Sequence, residues 1–381
     1  MPKYRFSEIA INVTDKRMPV PEDKDLYIAP NNLDTDTLSV PEYGYKVDLN
    51  GTKLIMHKGD MLFGRREPQL KKAAIAPHDG LFSAHGMIFH PREEVITKEF
   101  FPFFISSDYF FDAAIRISVG SLSPTVNWKD LKDLEFDIPD LNAQQEYAKV
   151  LWAMIRAKKA YKVLIKKTDD LVKSQFIEMF GNPATNSKGL KAEPLSRHLS
   201  VTGGFAFKSK EFRKDGGIPV LRIGNINSGR FLNTNMVYWP YDESLKRYFC
   251  RPGDLVISLT GTVGKGDYAN ICRLGNEFEL YYLNQRNAKL TLDDSVLSEY
   301  MTALLSNNEI KSLLTGAGQG VRQANISNAD ILNLVVPIPA IEDQQAFARL
   351  VEQSDKSKFA AQQALKEVTD AQKALMKKIF E

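Results

Sequence analysis

Apolar and polar positions along this chain follow two regimes, and each regime occurs twice. Residues 1–140 hold short mixed segments. Tyr27-Ile28-Ala29-Pro30, Lys53-Leu54-Ile55-Met56 and Met61-Leu62-Phe63 read as strands, with Gly59-Asp60 a turn before the last. Residues 98–117 carry Phe100, Phe101, Phe103, Phe104, Tyr109, Phe110 and Phe111, too dense for one helix face, which predicts a buried helix serving the core. Residues 141–180 change character. No Gly or Pro lies between Asn142 and Phe180, and a 4-3 step runs through Tyr147, Leu151, Met154, Lys158, Tyr161, Ile165, Thr168, Val172, Gln175 and Met179. That is a heptad seam with polar interruptions at Lys158, Thr168 and Gln175. Gly181-Asn182-Pro183 ends the helix.

A polar linker, 181–192, leads into a second mixed region, 193–339, and a second helix, 340–381. Here Gly216-Gly217 turns into the strand Ile218-Pro219-Val220-Leu221, and Arg251-Pro252-Gly253-Asp254 turns into Leu255-Val256-Ile257. The second seam is Phe347, Val351, Ser354, Lys358, Ala361, Leu365, Val368, Gln372, Leu375 and Ile379, each 200 positions after its counterpart. Leu131-Lys132-Asp133-Leu134, Ile138-Pro139 and Gln144-Gln145 recur at the same interval as Ile331-Leu332-Asn333-Leu334, Ile338-Pro339 and Gln344-Gln345. A solenoid unit is only about 20–50 residues long, so this is a duplicated domain plus a duplicated helix. The reading is an α+β protein of two mixed α/β domains and two long coiled-coil helices, related by a pseudo-twofold internal repeat. Each helix would run ~57 Å at 1.5 Å per residue and needs a partner for its seam. The other copy is the nearest partner, in an antiparallel or parallel pair. The matched Lys158 and Lys358 are left without a role inside the pair and are assigned toward a partner.

Composition narrows the class. The 381 residues are 43% hydrophobic and 25% charged, ordinary for a globular protein with room for two or three domains. No apolar run is long enough for a membrane span, and the start Met1-Pro2-Lys3-Tyr4-Arg5 has no apolar signal core, so the expectation is cytoplasmic. Two cysteines, Cys250 and Cys272, leave free thiols or one bridge open, and nothing else points to an oxidising compartment. The charge balance, 50 Lys+Arg against 47 Asp+Glu, is only weakly basic. Any phosphate-binding surface must then be local or shared with a partner.

Catalytic patterns fail one by one. Thr260-Gly261-Thr262-Val263-Gly264-Lys265-Gly266 resembles a phosphate loop but has Leu259 where Gly is required and Gly266 where Ser or Thr is required. No dinucleotide-binding fingerprint or nucleophile elbow occurs. The histidines at 57, 78, 85, 90 and 198 are scattered, and His85 and His90 lack companion ligands. Asn182-Pro183 lacks the following aromatic of amino-methyltransferases. Catalysis by this chain is not expected, and neither cofactor nor metal is assigned to it.

Loops that combine Gly, Ser/Thr and cations remain. Gly64-Arg65-Arg66-Glu67 and Thr260–Lys265 follow equivalent apolar strands. Gly120-Ser121 to Asn127 aligns with Gly318 to Asn325, which includes Arg322 and Gln323, and Gly204-Phe205-Ala206-Phe207-Lys208-Ser209-Lys210 opens the second domain. Arg pairs with two acceptors on guanine, Asn or Gln with adenine, and Ser, Thr and Lys suit phosphates. The candidate DNA contacts are Arg65, Arg66, Lys71, Ser121, Lys208, Lys210, Arg222, Thr260, Lys265, Arg322 and Gln323. Candidate partner contacts on the helices are Arg156, Lys159, Lys166, Gln344, Gln345 and Lys358.

The chain resembles the specificity subunits of type I restriction–modification enzymes. The resemblance is carried by Gly204 to Ser209, Ile218-Pro219-Val220-Leu221-Arg222-Ile223, and Gly253-Asp254-Leu255 running into Gly261-Thr262-Val263-Gly264-Lys265. Tyr27-Ile28, Asn32-Leu33-Asp34 and the two Ile-Pro-to-Gln-Gln segments add to it. It implies two target recognition domains, 1–140 and 193–339, held apart by antiparallel helices, each reading half of a bipartite, asymmetric site in double-stranded DNA. It also implies two methyltransferase subunits on the helices, holding S-adenosylmethionine, and motor-nuclease subunits that cleave unmodified DNA. The competing readings are a coiled-coil interaction scaffold without DNA readout and a self-contained methyltransferase.

Overall fold

The first domain is closed by its own ends: Lys3–Arg5 pairs antiparallel with Glu135–Asp137, just before the first long helix. The computed structural model describes residues 1–46, 48–226, 229–262, 268–315 and 323–380. It divides into two units, 1–165 with 359–381, and 166–358. Each unit therefore holds one mixed domain, the beginning of one long helix and the end of the other.

In the first unit an antiparallel sheet runs in the order Ala10–Val13, Gly86–Pro91, Met61–Gly64, Ala73–Ile75. A second sheet joins Lys16–Arg17, Lys53–Met56 and Gly80–Phe82. The core is aromatic: Phe6, Phe63, Phe89, Phe104, Phe110 and Phe136 are fully or almost fully buried. Each contributes about 1.5–3 kcal/mol by leaving water, and edge-to-face pairs such as Phe6 with Phe89 at 5.2 Å add specificity.

Two local expectations change. The aromatic run forms two helices, Phe101–Ser106 and Asp108–Arg116, instead of one. Ser107 breaks it: its backbone is extended, its hydroxyl donates to the Phe104 carbonyl at 2.6 Å, and its oxygen caps the Phe110 amide at 3.1 Å. Tyr27–Pro30 gives only an isolated bridge between Ile28 and Phe82. Pro30 has no N–H to continue a ladder and starts the 3-10 turn Pro30–Asn32.

The second unit repeats the plan. Ala192–Pro194 pairs antiparallel with Val335–Pro337, and a sheet runs in the order Leu199–Gly203, Asn287–Leu292, Leu255–Ser258, Ile271–Arg273. Its second sheet, Val237–Trp239, Ile218–Leu221, Tyr281–Leu283, Phe249–Cys250, contains a parallel pair, Ile218–Leu221 with Tyr281–Leu283.

The long helices are Leu141–Phe180 and Ile341–Phe380. Every seam position named from the sequence is buried or half-buried in both. Within the first unit, Ile379 and Phe380 pack with Leu151, Ile155 and Phe100. Within the second, Phe176 and Phe180 pack on Phe347 and Tyr300. The start of each helix thus meets the end of the other, so the pairing is antiparallel. Among the described residues no helix is long and apolar enough to cross a membrane.

Candidate nucleic-acid interface

In the first unit the strand Met61–Gly64 is buried throughout, and the chain emerges from it at Arg65. The Arg65 carbonyl accepts from the Val126 amide at 2.9 Å, Arg66 bridges Thr125, and the Glu67 amide donates to the Pro124 carbonyl at 2.7 Å. The Arg65 guanidinium donates to Asn127 Oδ1 at 3.1 Å. Glu67 and Lys71 both hold left-handed backbone, with φ of 51° and 47°, around the turn Pro68–Leu70. Two non-glycine residues so placed are strained, and strain of this kind concentrates at functional loops.

The second unit builds the same joint from other residues. The strand Leu255–Ser258 is buried, the Leu259 carbonyl accepts from the Ile326 amide at 2.8 Å, and Thr260–Thr262 pairs antiparallel with Gln323–Asn325. Arg66 opposite Thr125 corresponds to Thr260 opposite Asn325. Four of the five loops singled out in the sequence thus meet two by two through their described residues, once in each unit.

Electrostatics mark the first joint. His85 is held below the ordinary imidazole value by partial burial and then by the positive charges of Arg66, Arg65 and Lys53. Sequence reasoning singled out neither this histidine nor Lys53, whose charge acts on it alongside the two arginines. They come from a turn and from a strand far from Arg65 in sequence, and no spacing rule links them.

The other candidates divide. Ser121 is exposed at the tip of the loop between Val119 and Thr125. Lys71 is held by Asp108 and by Asp112 at 3.5 Å, so its charge is matched within the domain and it anchors the strained turn instead of offering a net charge to phosphate. Lys208 and Lys210 are exposed, Lys208 lying 3.4 Å from Glu211. The Gly-Phe-Ala-Phe segment before them is a packing module. Phe207 is buried 5.1 Å from Trp239, and a Cβ on Gly204 would sit 2.2 Å from the Asn284 carbonyl oxygen. Arg222 is half-buried and donates to the Asn235 carbonyl. Thr260 is half-buried. Lys265 and Arg322 lie outside the described residues, and for Gln323 only the backbone pairing is described.

On the helices, Arg156, Lys159, Lys166 and Gln345 are exposed. Gln344 is not available to a partner. It is fully buried, its Oε1 accepts from the Leu297 amide at 2.8 Å, and its Nε2 donates to the Ser295 and Pro339 carbonyls at 3.1 and 3.0 Å. Gln144 makes the matching set in the first unit, with Thr97, Val95 and Pro139 at 2.7, 2.9 and 2.8 Å. Lys358 is also turned inward, paired with Asp169 of the facing helix. Lys158, buried, bonds Asp36 and Gln372. The outward assignment of these two lysines is therefore corrected.

Cys250 and Cys272 are free, buried thiols, each pushed up to about 12, chiefly by burial. Among the described residues no group of three or more His, Cys, Asp or Glu is placed to hold a metal ion.

Comparison with known proteins places this architecture. The family model described as type I restriction modification DNA specificity domain matches twice, over residues 27–167 and 199–369. The chain is 24% identical over 330 residues to the type I restriction enzyme EcoKI specificity subunit of Escherichia coli K12, covering 80% of this chain and 69% of that protein. It is 23% identical over 273 residues to the type I restriction enzyme MjaVIII specificity subunit of Methanocaldococcus jannaschii, covering 68% of this chain and 64% of that one, just under two thirds of its length. The crystal structure of the type I restriction-modification system S subunit from M. genitalium shares the fold, with a TM-score of 0.60 at 14% identity, covering 100% of this chain and 96% of that chain. Two matches of one family model, one on each mixed domain with part of its long helix, cover most of the sequence, and the chain belongs to the type I restriction–modification DNA specificity family.

Proposed function

We propose that this chain is the sequence-reading subunit of a type I restriction–modification complex, each unit contacting one half of a bipartite, asymmetric DNA site. The observation that carries the reading is the repeated loop joint. Arg65-Arg66 against the 119–125 loop, and Thr260–Thr262 against Gln323–Asn325, occupy the same place on the same framework with different chemistry. A conserved frame with unlike contact residues suits two unlike half-sites. Arginines in the first joint offer paired donors to guanine, while the shorter Thr and Gln side chains of the second suit other base edges or phosphates.

The same proposal assigns the exposed helix faces to two methyltransferase subunits. Val150, Val163, Leu171, Ile177 and Phe359 are large apolar side chains left 42–61% exposed on these helices, beside the exposed Arg156, Lys159 and Lys166. Apolar side chains next to cations on a rigid helix suit a protein partner better than solvent. S-adenosylmethionine is assigned to those methyltransferases, and motor-nuclease subunits complete the complex. The role of this chain is to bind and to hold geometry, with no chemical step of its own. Shared DNA contact with the methyltransferases accounts for its weak net charge of +3.

The test is footprinting of the assembled complex on its site. Two protected base clusters separated by an unread spacer are expected. One continuous protected block, or binding that ignores sequence, would refute the two-reader model.

A further inference from the structure

The loop Gly120–Pro124 carries an apolar side chain held almost wholly in water. Leu122 is 96% exposed and Val119 beside it 65% exposed, between the polar Ser121 and Ser123. The base of the loop is fixed: Val119 and Thr125 exchange both backbone hydrogen bonds, at 3.0 and 2.9 Å, and the Pro124 carbonyl accepts from Glu67. Gly120 supplies the left-handed turn, with φ of 118°. Through Thr125 the loop is bridged to Arg66, and burial, followed by the charges of Arg66, Arg65 and Lys53, holds the His85 titration down. A pinned loop thus presents a bare leucine next to a local cation cluster.

Resting on the sequence-reading role above, we infer that Leu122 makes apolar contact with the bases of the half-site held by the first unit, while the neighbouring cations take phosphates and guanine edges. Charge selects the occupant. An apolar tip beside arginines that no carboxylate among the described residues pairs with fits the interior of a DNA groove, where phosphates balance the cations and base surface is apolar. Two base surfaces offer this chemistry: a thymine methyl group in the major groove, and the face of a base at a partly unstacked step. Because Leu122 touches little of its own protein, truncating it leaves the fold intact.

The experiment uses the complex assembled with its methyltransferase partner. The probe is a duplex carrying the site identified by methylome sequencing of cells that make the complex, with a scrambled duplex of equal length as control. Leu122→Ala and Leu122→Ser should weaken binding to the site by roughly tenfold or more, the scale expected for one buried leucine. Binding to the scrambled duplex, the thermal midpoint and complex assembly should stay unchanged. Replacing each thymine of the half-site by uracil should reproduce the loss at one position if the contact is a methyl group. A 2-aminopurine probe that brightens with the parent complex but not with the variants marks an unstacked step instead. Either result supports the contact. Unchanged site affinity in both variants, with Arg66→Ala still weakening it, overturns this inference and leaves the DNA-reading role standing. Loss of methyltransferase assembly in the variants overturns it in favour of a protein contact. Equal affinity of the parent complex for both duplexes removes the DNA-reading role itself.

Discussion

Nζ of Lys158 donates to Oε1 of Gln372 at 2.9 Å across the antiparallel helix seam and, on its other side, to the Asp36 carbonyl at 2.9 Å. Its third partner is the Asp36 carboxylate, and Lys162 reaches the same carboxylate at 3.0 Å. A lysine buried at a heptad position is costly unless each donor is used, and here all three are. The arrangement locks helix register and ties the 34–39 loop of the first domain to the helix.

Removing the counter-charge should be worse than removing the lysine. Asp36→Ala leaves a buried ammonium short of its partner. Because the aspartate is less than half exposed, part of the pairing is screened, and the cost is expected at about 1–2 kcal/mol, below the 3–5 of a fully buried pair. Lys158→Met keeps Asp36 paired with Lys162 and should cost less. Thermal melts of both variants check the order.

The same contact sets an acid limit. Burial alone would raise the Asp36 carboxyl, but hydrogen bonds and charge from Lys158 and Lys162 outweigh it and hold the group below the usual 3.8. A carboxyl lowered on folding stabilises above its unfolded value and loses that contribution as pH falls through the folded one. The stability difference between the parent and Asp36→Ala should be full at neutral pH and shrink below about pH 4. A difference constant from pH 7 to pH 3 would contradict the pairing.

Gln144 and Gln344 should behave alike. Each buried amide joins the first turn of a long helix to the loop before a domain helix, with one accepted and two donated bonds. Changing either to Ala strands three backbone groups and should cost about 2–4 kcal/mol. Hydrogen exchange should then rise at Thr97 in Gln144→Ala and at Leu297 in Gln344→Ala, each only in its own unit.

The thiols should be silent in the native protein. With Cys250 and Cys272 buried and pushed up to about 12, neither forms thiolate near neutral pH. A disulfide reagent such as DTNB is expected to titrate no thiol until denaturant is added, and then two.

Half-site specificity should separate by unit. In the assembled complex Arg66→Ala should relax recognition at positions of one half-site, at about 1–3 kcal/mol, and Thr260→Val at positions of the other. Selection from a randomised duplex library reads both halves together. A uniform loss over all sequences would make Arg66 a phosphate anchor.

Much of this was legible in the sequence because it depends on period. A heptad seam must face inward, so its positions could be named one by one, from Tyr147 to Ile379, and all are buried or half-buried. The loop joint was legible only as two pairs of similar loops. That Arg66 meets Thr125, and Thr260 meets Asn325, required the sheet order that brings those segments side by side. Ser107, which splits the aromatic run, carries an ordinary capping signal that the density of phenylalanines obscured.

Sequence alone determined the duplicated architecture, the two helices and their apolar seams, because amphipathic periodicity and the absence of Gly and Pro act locally. Tertiary structure settled the antiparallel sense, which the residue pattern left open and the family resemblance implied, and it alone decided the inward roles of Lys158, Lys358 and Gln344 and the influence of Arg65, Arg66 and Lys53 on His85. A buried polar group is specified by partners far away in sequence: 214 residues separate Lys158 from Gln372, and 122 separate it from Asp36. Hydrogen bonding at that range leaves no periodic trace, so only the folded chain reveals what each of those side chains is for.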